Sequence, residues 1–502
     1  MSIRLTIRAV RVASCCAGLL CAIVFLAAPV AHCQDSTAAA DPNQQNQSAQ
    51  PIPAYQSPFS VGTDDQNTDE NSQAVQPDTR PLTGAQYISM ENVSNQRSYW
   101  QPRVDVTGSA DSNPEESPTN SGWGSWTSFL AGVDLHRKSG TSQMMLTYTG
   151  GGMYSNESDV PNGTIQELGV SDNITFRRSV FSVFDQLSYL PQASLGFGGV
   201  GGLPLTGIGS VGLGSGFTTG QSVLTGQGQN LANSSIAQLE TFLTSRSSIT
   251  MTGGYSLLHF FGNDLVDSGD IIFQGGYNYQ LTRHDTVAAL YNFSDFRYSS
   301  LSQSIYTHTI QGSYGRRVTG RLAFQIAAGP EVAIFNQGAL SSSAPGGTGA
   351  GSSASNSSST HLYWSLNSSV NYQYQRTALG LNYSHGVGAG SGVLAGSLED
   401  IVTGSWTRKM SRTFSSGLSA GYSRNSALPI TSGQASGQNY DYWFAGATFA
   451  HPLSETVALN FSYQMQYQTS NQTFQIGNSS GTSVIRHLIS VGFSWHQRPL
   501  DF

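Results

Sequence analysis

Amides recur at alternate positions in several stretches of this chain, among them Gln274 and Asn278, Asn371, Asn382, and Asn460 and Gln464. A primary amide offers two donors and an acceptor and has no proton to trade near neutral pH, so its chemistry is solvation rather than bond breaking. Residues that break bonds are not grouped. Histidines 136, 259, 284, 308, 361, 385, 451, 487 and 496 stand singly, with no His-x-x-x-His pair and no Gly-x-Ser-x-Gly elbow. Two matches to Gly-x-Gly-x-x-Gly, at Gly196, Gly198 and Gly201 and at Gly207, Gly209 and Gly212, open no helix and carry no dinucleotide-binding meaning. The residues argue against an enzyme, and no cofactor and no metal centre is expected.

The elements that must position these amides show a period of two. From Ile271 to Leu281 the odd positions hold Ile271, Phe273, Gly275, Tyr277, Tyr279 and Leu281, and the even ones Ile272, Gln274, Gly276, Asn278 and Gln280. From Val457 to Tyr467 the odd row is again apolar and the even row is Ala458, Asn460, Ser462, Gln464 and Gln466. Eighteen such segments follow residue 98, beginning near Tyr99, Trp123, Thr141, Thr164, Ser179, Ser234, Ser248, Ile271, Thr286, Ile305, Arg321, Leu362, Ala378, Ser397, Thr413, Tyr440, Thr456 and Ser483. Strands of bilayer-spanning length, even in number and without apolar helices to cover them, predict an all-β fold: a transmembrane antiparallel up-and-down barrel over residues 98–502.

The N-terminus predicts export. Arg4, Arg8 and Arg11 precede an uncharged apolar run from Cys15 to Ala28, then Ala31, His32 and Cys33, so residues 1–33 read as a secretory signal peptide. Val30 to Cys33 also resembles a lipobox, which prefers a small residue where His32 stands, so ordinary cleavage near Cys33 is expected over lipidation. All four cysteines lie at or before Cys33, which leaves no disulfide framework and no thiolate metal site. Beyond the signal, 20 basic residues face 30 acidic ones, a net charge of -10 that argues against nucleic acid as a partner. Residues 34–97, rich in Gln, Asn, Ser, Pro and Asp, read as a disordered polar tail.

Connections between the strands alternate long and short, and the long first one, Asp111 to Gly122, puts both chain ends on the short-turn side. Thirteen of the 20 basic residues stand in or beside the short turns, including Arg177, Arg178, Arg283, Arg316, Arg317, Lys409 and Arg412. They are read as anchors to lipid phosphates, with Phe176, Tyr277, Tyr279, Tyr314, Tyr372, Tyr374 and Trp406 as an aromatic girdle at the same level. Asp172 and Asp185 break otherwise apolar rows. Either a β-bulge reverses parity there, which is the expected case, or these strands form a subunit contact.

On these features the chain resembles a Gram-negative outer-membrane barrel of the porin-like superfamily, over roughly residues 98–502. The resemblance implies short turns and both termini in the periplasm, long extracellular loops, and lipid, lipopolysaccharide and the barrel-insertion machinery as partners. The superfamily's last strand ends in an aromatic residue. Phe502 is one, but Pro499 interrupts the approach to it, and Ile489, Val491, Phe493 and Trp495 form the better alternating end.

A neutral inner wall suits small, uncharged hydrophilic solutes such as saccharides, and the expected activity is passive diffusion. Inward charges are expected to cluster in the first third, as Arg103, Asp105, Asp134, Glu167 and Glu240, giving either a weak cation preference or an ion-pair network that props the wall. The third long loop, from Pro191 to about Asn233, lacks charge; by resemblance, Phe197, Leu203, Leu205, Ile208, Leu213 and Phe217 would form its constriction, and a surface loop is the alternative. Gly329 to Thr360 reads as a second long loop, and Asp264, Asp267 and Asp270 as a solvated loop rather than a divalent-cation site. Polysaccharide export and a structural or adhesive barrel are the alternative functions. The oligomeric state is open between a monomer and a homotrimer.

Overall fold

Each predicted strand segment becomes a strand of one closed sheet. The computed structural model describes residues 98–118, 122–155, 162–191, 229–261, 265–299, 303–337, 357–390, 393–411, 413–428, 437–476 and 479–502. The predicted signal peptide and polar tail lie outside the described residues. The strands are β1 (Tyr99–Asp111), β2 (Gly124–Ser139), β3 (Ser142–Tyr154), β4 (Gly163–Thr175), β5 (Ser179–Leu190), β6 (Asn230–Phe242), β7 (Ser247–Phe260), β8 (Ser268–Gln280), β9 (Asp285–Tyr298), β10 (Gln303–Arg317), β11 (Leu322–Gln337), β12 (Ser357–Tyr374), β13 (Thr377–Gly388), β14 (Ser397–Lys409), β15 (Ser415–Ala427), β16 (Asn439–Pro452), β17 (Val457–Ile476), β18 (Ser479–His496) and the two-residue β19 (Leu500–Asp501). Each of β1 to β17 pairs antiparallel with the next strand, and β18 closes on β1 from Arg103↔His496 to Asp111↔Leu488, leaving no edge.

Closure carries the parity of each strand to its neighbours and defines an inward and an outward row all round. On β8 the outward Ile271, Phe273, Tyr277 and Tyr279 are exposed, while Gln274 and Asn278 are buried on the other face. Met251, Ile310, Leu362, Trp443 and Phe493 are likewise exposed on the outward rows of their strands. Apolar side chains so placed are stable only against hydrocarbon.

The short turns share a local chemistry that was not read from the sequence. Five of them begin with an apolar residue and then a hydroxyl: Leu243–Thr244, Leu281–Thr282, Val318–Thr319, Met410–Ser411 and Leu453–Ser454. In each, the backbone N–H of both residues donates to one carbonyl, as Leu281 and Thr282 do to Asp285 O at 3.0 and 3.2 Å. The hydroxyl then accepts from backbone N–H groups ahead of it, as Thr282 Oγ1 does from His284 and Asp285, both at 3.1 Å. These are ST-turns, and they fix the hairpin register from the short-turn side. Tyr374 of the predicted girdle carries Arg321 over its ring at 4.2 Å.

Three expectations need correction. The bulge at Asp172 and Asp185 is absent: β4 and β5 pair without a shift from Gln166↔Tyr189 to Thr175↔Val180, so both carboxylates stay on the outward row. The loop read as Gly329 to Thr360 is shorter, because β11 runs to Gln337 and β12 starts at Ser357. Asp270 is not in a loop either; it lies on β8, buried on the inward row, while Asp267 is held by His259 Nδ1 at 2.6 Å and the Phe260 N–H at 2.8 Å. After the break at Pro499 the ladder resumes, with Trp100↔Leu500 and Tyr99↔Asp501, and Phe502 N–H donates to Ser98 O. The terminal aromatic therefore does close the barrel seam.

Candidate functional site: the inner wall and its mouth

Inward-row side chains divide by height. Toward the short turns they form a polar belt that includes all six amides singled out above. Asn278 Nδ2 donates to Ser248 Oγ (3.2 Å) and Thr250 Oγ1 (3.0 Å), and Ser248 Oγ donates to Glu240 Oε1 (2.8 Å). Asn460 Nδ2 donates to Ser494 Oγ at 2.7 Å, and Gln311 Nε2 to Ser365 Oγ at 3.0 Å. Gln274 and Gln464 are buried in their rows, Asn382 is half-buried and Asn371 is exposed. On the inward rows Asn292 Oδ1, Asn460 Oδ1 and Gln466 Oε1 are buried without a hydrogen-bond partner, as are the hydroxyls of Thr252 and Ser268.

The predicted charges also face inward. Arg103 is the hub: its Nε is 3.8 Å from Asp105 Oδ2, its Nη1 3.6 Å from Asp134 Oδ2, and its Nη2 donates to Thr149 Oγ1. Glu167 lies on the same stretch of wall, on β4, whereas Glu240 belongs to the separate hydroxyl–amide ladder of β6 to β8. Inward charge is not confined to the first third, however. Asp270, Glu331, Glu399 and Arg486 are inward and buried as well, and within the first third so is Asp111. Asp111, Asp270 and Glu331 escaped notice because their strands extend further toward the long connections than the alternation revealed.

Above the belt, toward the long connections, the inward rows turn apolar. Trp126, Leu130, Met153, Ile165, Leu190 and Leu488 form one buried cluster. Leu258 and Phe260 form another, and Phe296, Tyr298, Ile305, Ala333 and Phe335 a third. Tyr440, Tyr442 and Val484 make a fourth. Together they line the loop-side interior as an apolar collar. The connection between β13 and β14 folds onto it: Ala389 and Ala395 join the third cluster, Leu394 the fourth, and Tyr298 Oη donates to Ala389 O at 2.7 Å. Gly390 and Gly396, at φ of 77° and 81°, make the reversals this path needs.

The first connection is fastened to the same collar by charge. Arg486, inward on β18, donates through Nε to Asp111 Oδ2 at 2.6 Å and through Nη1 to Glu116 Oε1 at 2.8 Å. Its Nη2 stands 2.5 Å from the same Asp111 oxygen as an ion-pair contact. All three residues are exposed by 1 % or less. Asn113 shapes the segment, donating to Ser117 O and accepting from Ser117 N–H, both at 2.9 Å. The clamp thus joins the first strand, the first connection and the last strand across the seam. Sequence reading missed it because Arg486 and Glu116 are 370 residues apart. The six apolar residues named for a constriction loop, Phe197, Leu203, Leu205, Ile208, Leu213 and Phe217, lie outside the described residues.

A closed 18-stranded antiparallel barrel with an apolar outer surface, a polar inner belt and short turns on one rim has the architecture of a transmembrane β-barrel. No family model and no curated protein matches the sequence. Among solved structures the chain is similar to OpdQ of Pseudomonas aeruginosa (10% identity, 81% of this chain and 100% of that one, TM-score 0.39). It is also similar to OccK2 of the same organism, solved in complex with glucuronate (10% identity, 80% and 98%, TM-score 0.39). A third is OccAB3 of Acinetobacter baumannii (8% identity, 80% and 99%, TM-score 0.38).

Proposed function

We propose that this chain is a passive outer-membrane channel for small, mostly uncharged hydrophilic solutes, with saccharides as the solute class. The observation that carries this reading is the inner belt: amides and hydroxyls bonded across the strands, with the more accessible amides of Asn371 and Asn382 among the groups on the inward rows. Hydroxyl-rich solutes can both donate to and accept from a wall of amides and hydroxyls, whereas an anion would meet inward carboxylates. The apolar collar lies at the loop-side end of the interior, where a solute entering from that side meets it. The short-turn rim, which also holds the ends of β1 and β18, is assigned to the periplasm, with residues 1–33 as signal peptide and 34–97 as a periplasmic tail. Lipopolysaccharide and the barrel-insertion machinery are the partners this placement requires.

The test is single-channel conductance of the refolded protein in a planar bilayer while neutral mono- and disaccharides are titrated in. A stable conductance that falls saturably with sugar is expected. A conductance indifferent to sugar would remove the saccharide reading, and a barrel that never conducts would remove the channel.

A further inference from the structure

The tips of the short turns carry cations that the barrel itself does not neutralise. Arg177, Arg178, Arg246, Arg283 and Arg376 stand in the turns, exposed, and none of them makes an ion pair or a side-chain hydrogen bond among the described residues. Asp285 and Glu455, the acids in or next to the short turns, already face Arg316 at 3.6 Å and Arg498. The tip residues lie past the strand ends, and so past the outward-row bases Arg137 and Arg408, which are the ones placed to meet lipid phosphate.

The chain holds a matching counter-charge. Asp64, Asp65, Asp69, Glu70 and Asp78 fall within 15 residues that contain no Lys, Arg or His. Residues 79–97 join this run to Ser98, and Ser98 is fastened to the same rim: its Oγ donates to Lys138 O at 3.3 Å and accepts from Lys138 N–H at 3.1 Å. A link of that length spans up to ~65 Å, whereas the strands, at ~4.8 Å spacing and ~40° tilt, enclose a rim about 36 Å across.

We propose that residues 64–78 dock on the short-turn rim of their own barrel, with their carboxylates on the arginines of the turn tips. The tether keeps the acidic run within reach of every tip whatever the protein concentration. The long-connection side offers no such match among the described residues: Arg297 pairs with Asp295, Arg486 is buried in the clamp, and Arg424 stands opposite Asp400 and Asp441 in the ladder. The chain enters at β1, and the tips at Arg246, Arg283 and Arg376 belong to the far half of the ring, so contact with them takes the segment across the short-turn mouth or along its edge. Attraction between exposed charges reaches about 10 Å at 0.1 M salt, so the docked state is favoured at low ionic strength and released at high. The proposal concerns the rim alone and does not rest on what passes through the barrel.

The experiment uses the full chain purified from outer membranes into nanodiscs of neutral lipid, with a benzophenone side chain in place of Ser72 in the acidic run. Light-induced adducts are mapped by mass spectrometry at about 50 mM and about 500 mM salt. Adducts on the turns that hold Arg246, Arg283 or Arg376 are expected, with at least about fivefold fewer at high salt. Two charge variants should lose them to the same extent: Asp64→Asn with Asp65→Asn, Asp69→Asn and Glu70→Gln, and Arg246→Gln with Arg283→Gln and Arg376→Gln. The first changes nothing in the barrel, so it decides where the arginine variant does not fold. An isotopically heavy chain without the label, mixed in before illumination, separates contact within one chain from contact with a second copy. Adducts on lipid alone or on the heavy chain, turn adducts that persist at high salt or in the acid-neutralised variant, or an absence of turn adducts would overturn the proposal.

Discussion

Replacing Arg486 with methionine should cost the barrel more than any loss of packing would suggest. Methionine keeps the length of the side chain but removes the cation from two carboxylates that have no access to water, at Asp111 (0 %) and Glu116 (1 %). Two charge-assisted hydrogen bonds of 2.6 and 2.8 Å vanish, and both acids are left buried and uncompensated. Removing one member of a buried ion pair costs about 3–5 kcal/mol, most of it the penalty of the stranded charge. The triple variant Arg486→Met, Asp111→Leu, Glu116→Met removes the stranded charges as well and should recover most of that loss, since apolar replacement of a whole buried ionic group is often neutral or stabilising. Equilibrium urea unfolding in liposomes, followed by tryptophan fluorescence with Trp126 in the adjoining collar cluster as reporter, reads the difference. Because the clamp holds the first connection over the mouth, single-channel records of Arg486→Met should also show added closing and opening events. A single variant that loses less than about 1 kcal/mol, or a triple variant no better than the single one, would refute the account of the clamp as a desolvated ionic unit.

Two further outcomes follow from the wall. A side chain at Gly329 would place its Cβ 1.8 Å from the backbone oxygen of Ile310, so Gly329→Ala should break the β10–β11 pairing and cut refolding yield; Gly253→Ala, which meets nothing within 4 Å, is the control and should leave it unchanged on a heat-modifiability gel. Asp105 and Asp134 outnumber their single cation Arg103, so the channel should prefer cations weakly in a reversal-potential measurement under a salt gradient, and Asp105→Asn with Asp134→Asn should abolish that preference; an anion-selective parent would contradict it.

The sequence made the barrel legible because the outer surface obeys one rule at every second residue. Lipid demands apolar side chains on one row of each strand whatever the neighbours are, so a strand such as Ile271–Leu281 announces itself without tertiary information. The short turns were legible as interruptions, but their ST-turn chemistry is a repeat of only two residue types and became visible when Thr282 and Thr319 were seen making the same bonds. Where the strands approach the long connections, the rule weakens. Asp270 and Glu331 look like loop residues because the rows there lose their apolar partners, and the alternation ends before the hydrogen-bonded ladder does.

The interior answers to a different constraint, and this is why the candidate site was only partly readable. Parity alone told which residues face inward, so Gln274, Asn278, Asn460 and the Arg103 group could be placed one strand at a time. It could not tell which inward residues meet. The collar gathers Trp126 with Leu488 and Tyr440 with Val484, and the clamp joins Asp111 to Arg486, pairs far apart in the chain that closure alone brings together. An inward leucine among amides reads as noise in a single strand and becomes part of an apolar collar only when its counterparts from the other strands stand at the same height. Asp185 makes the converse point. A carboxylate in an apolar row invited a bulge, because a local fault is the simplest local explanation, yet the uninterrupted register from Gln166 to Thr175 leaves the row intact. The anomaly then belongs to what lies outside the barrel, which no single-chain pattern describes.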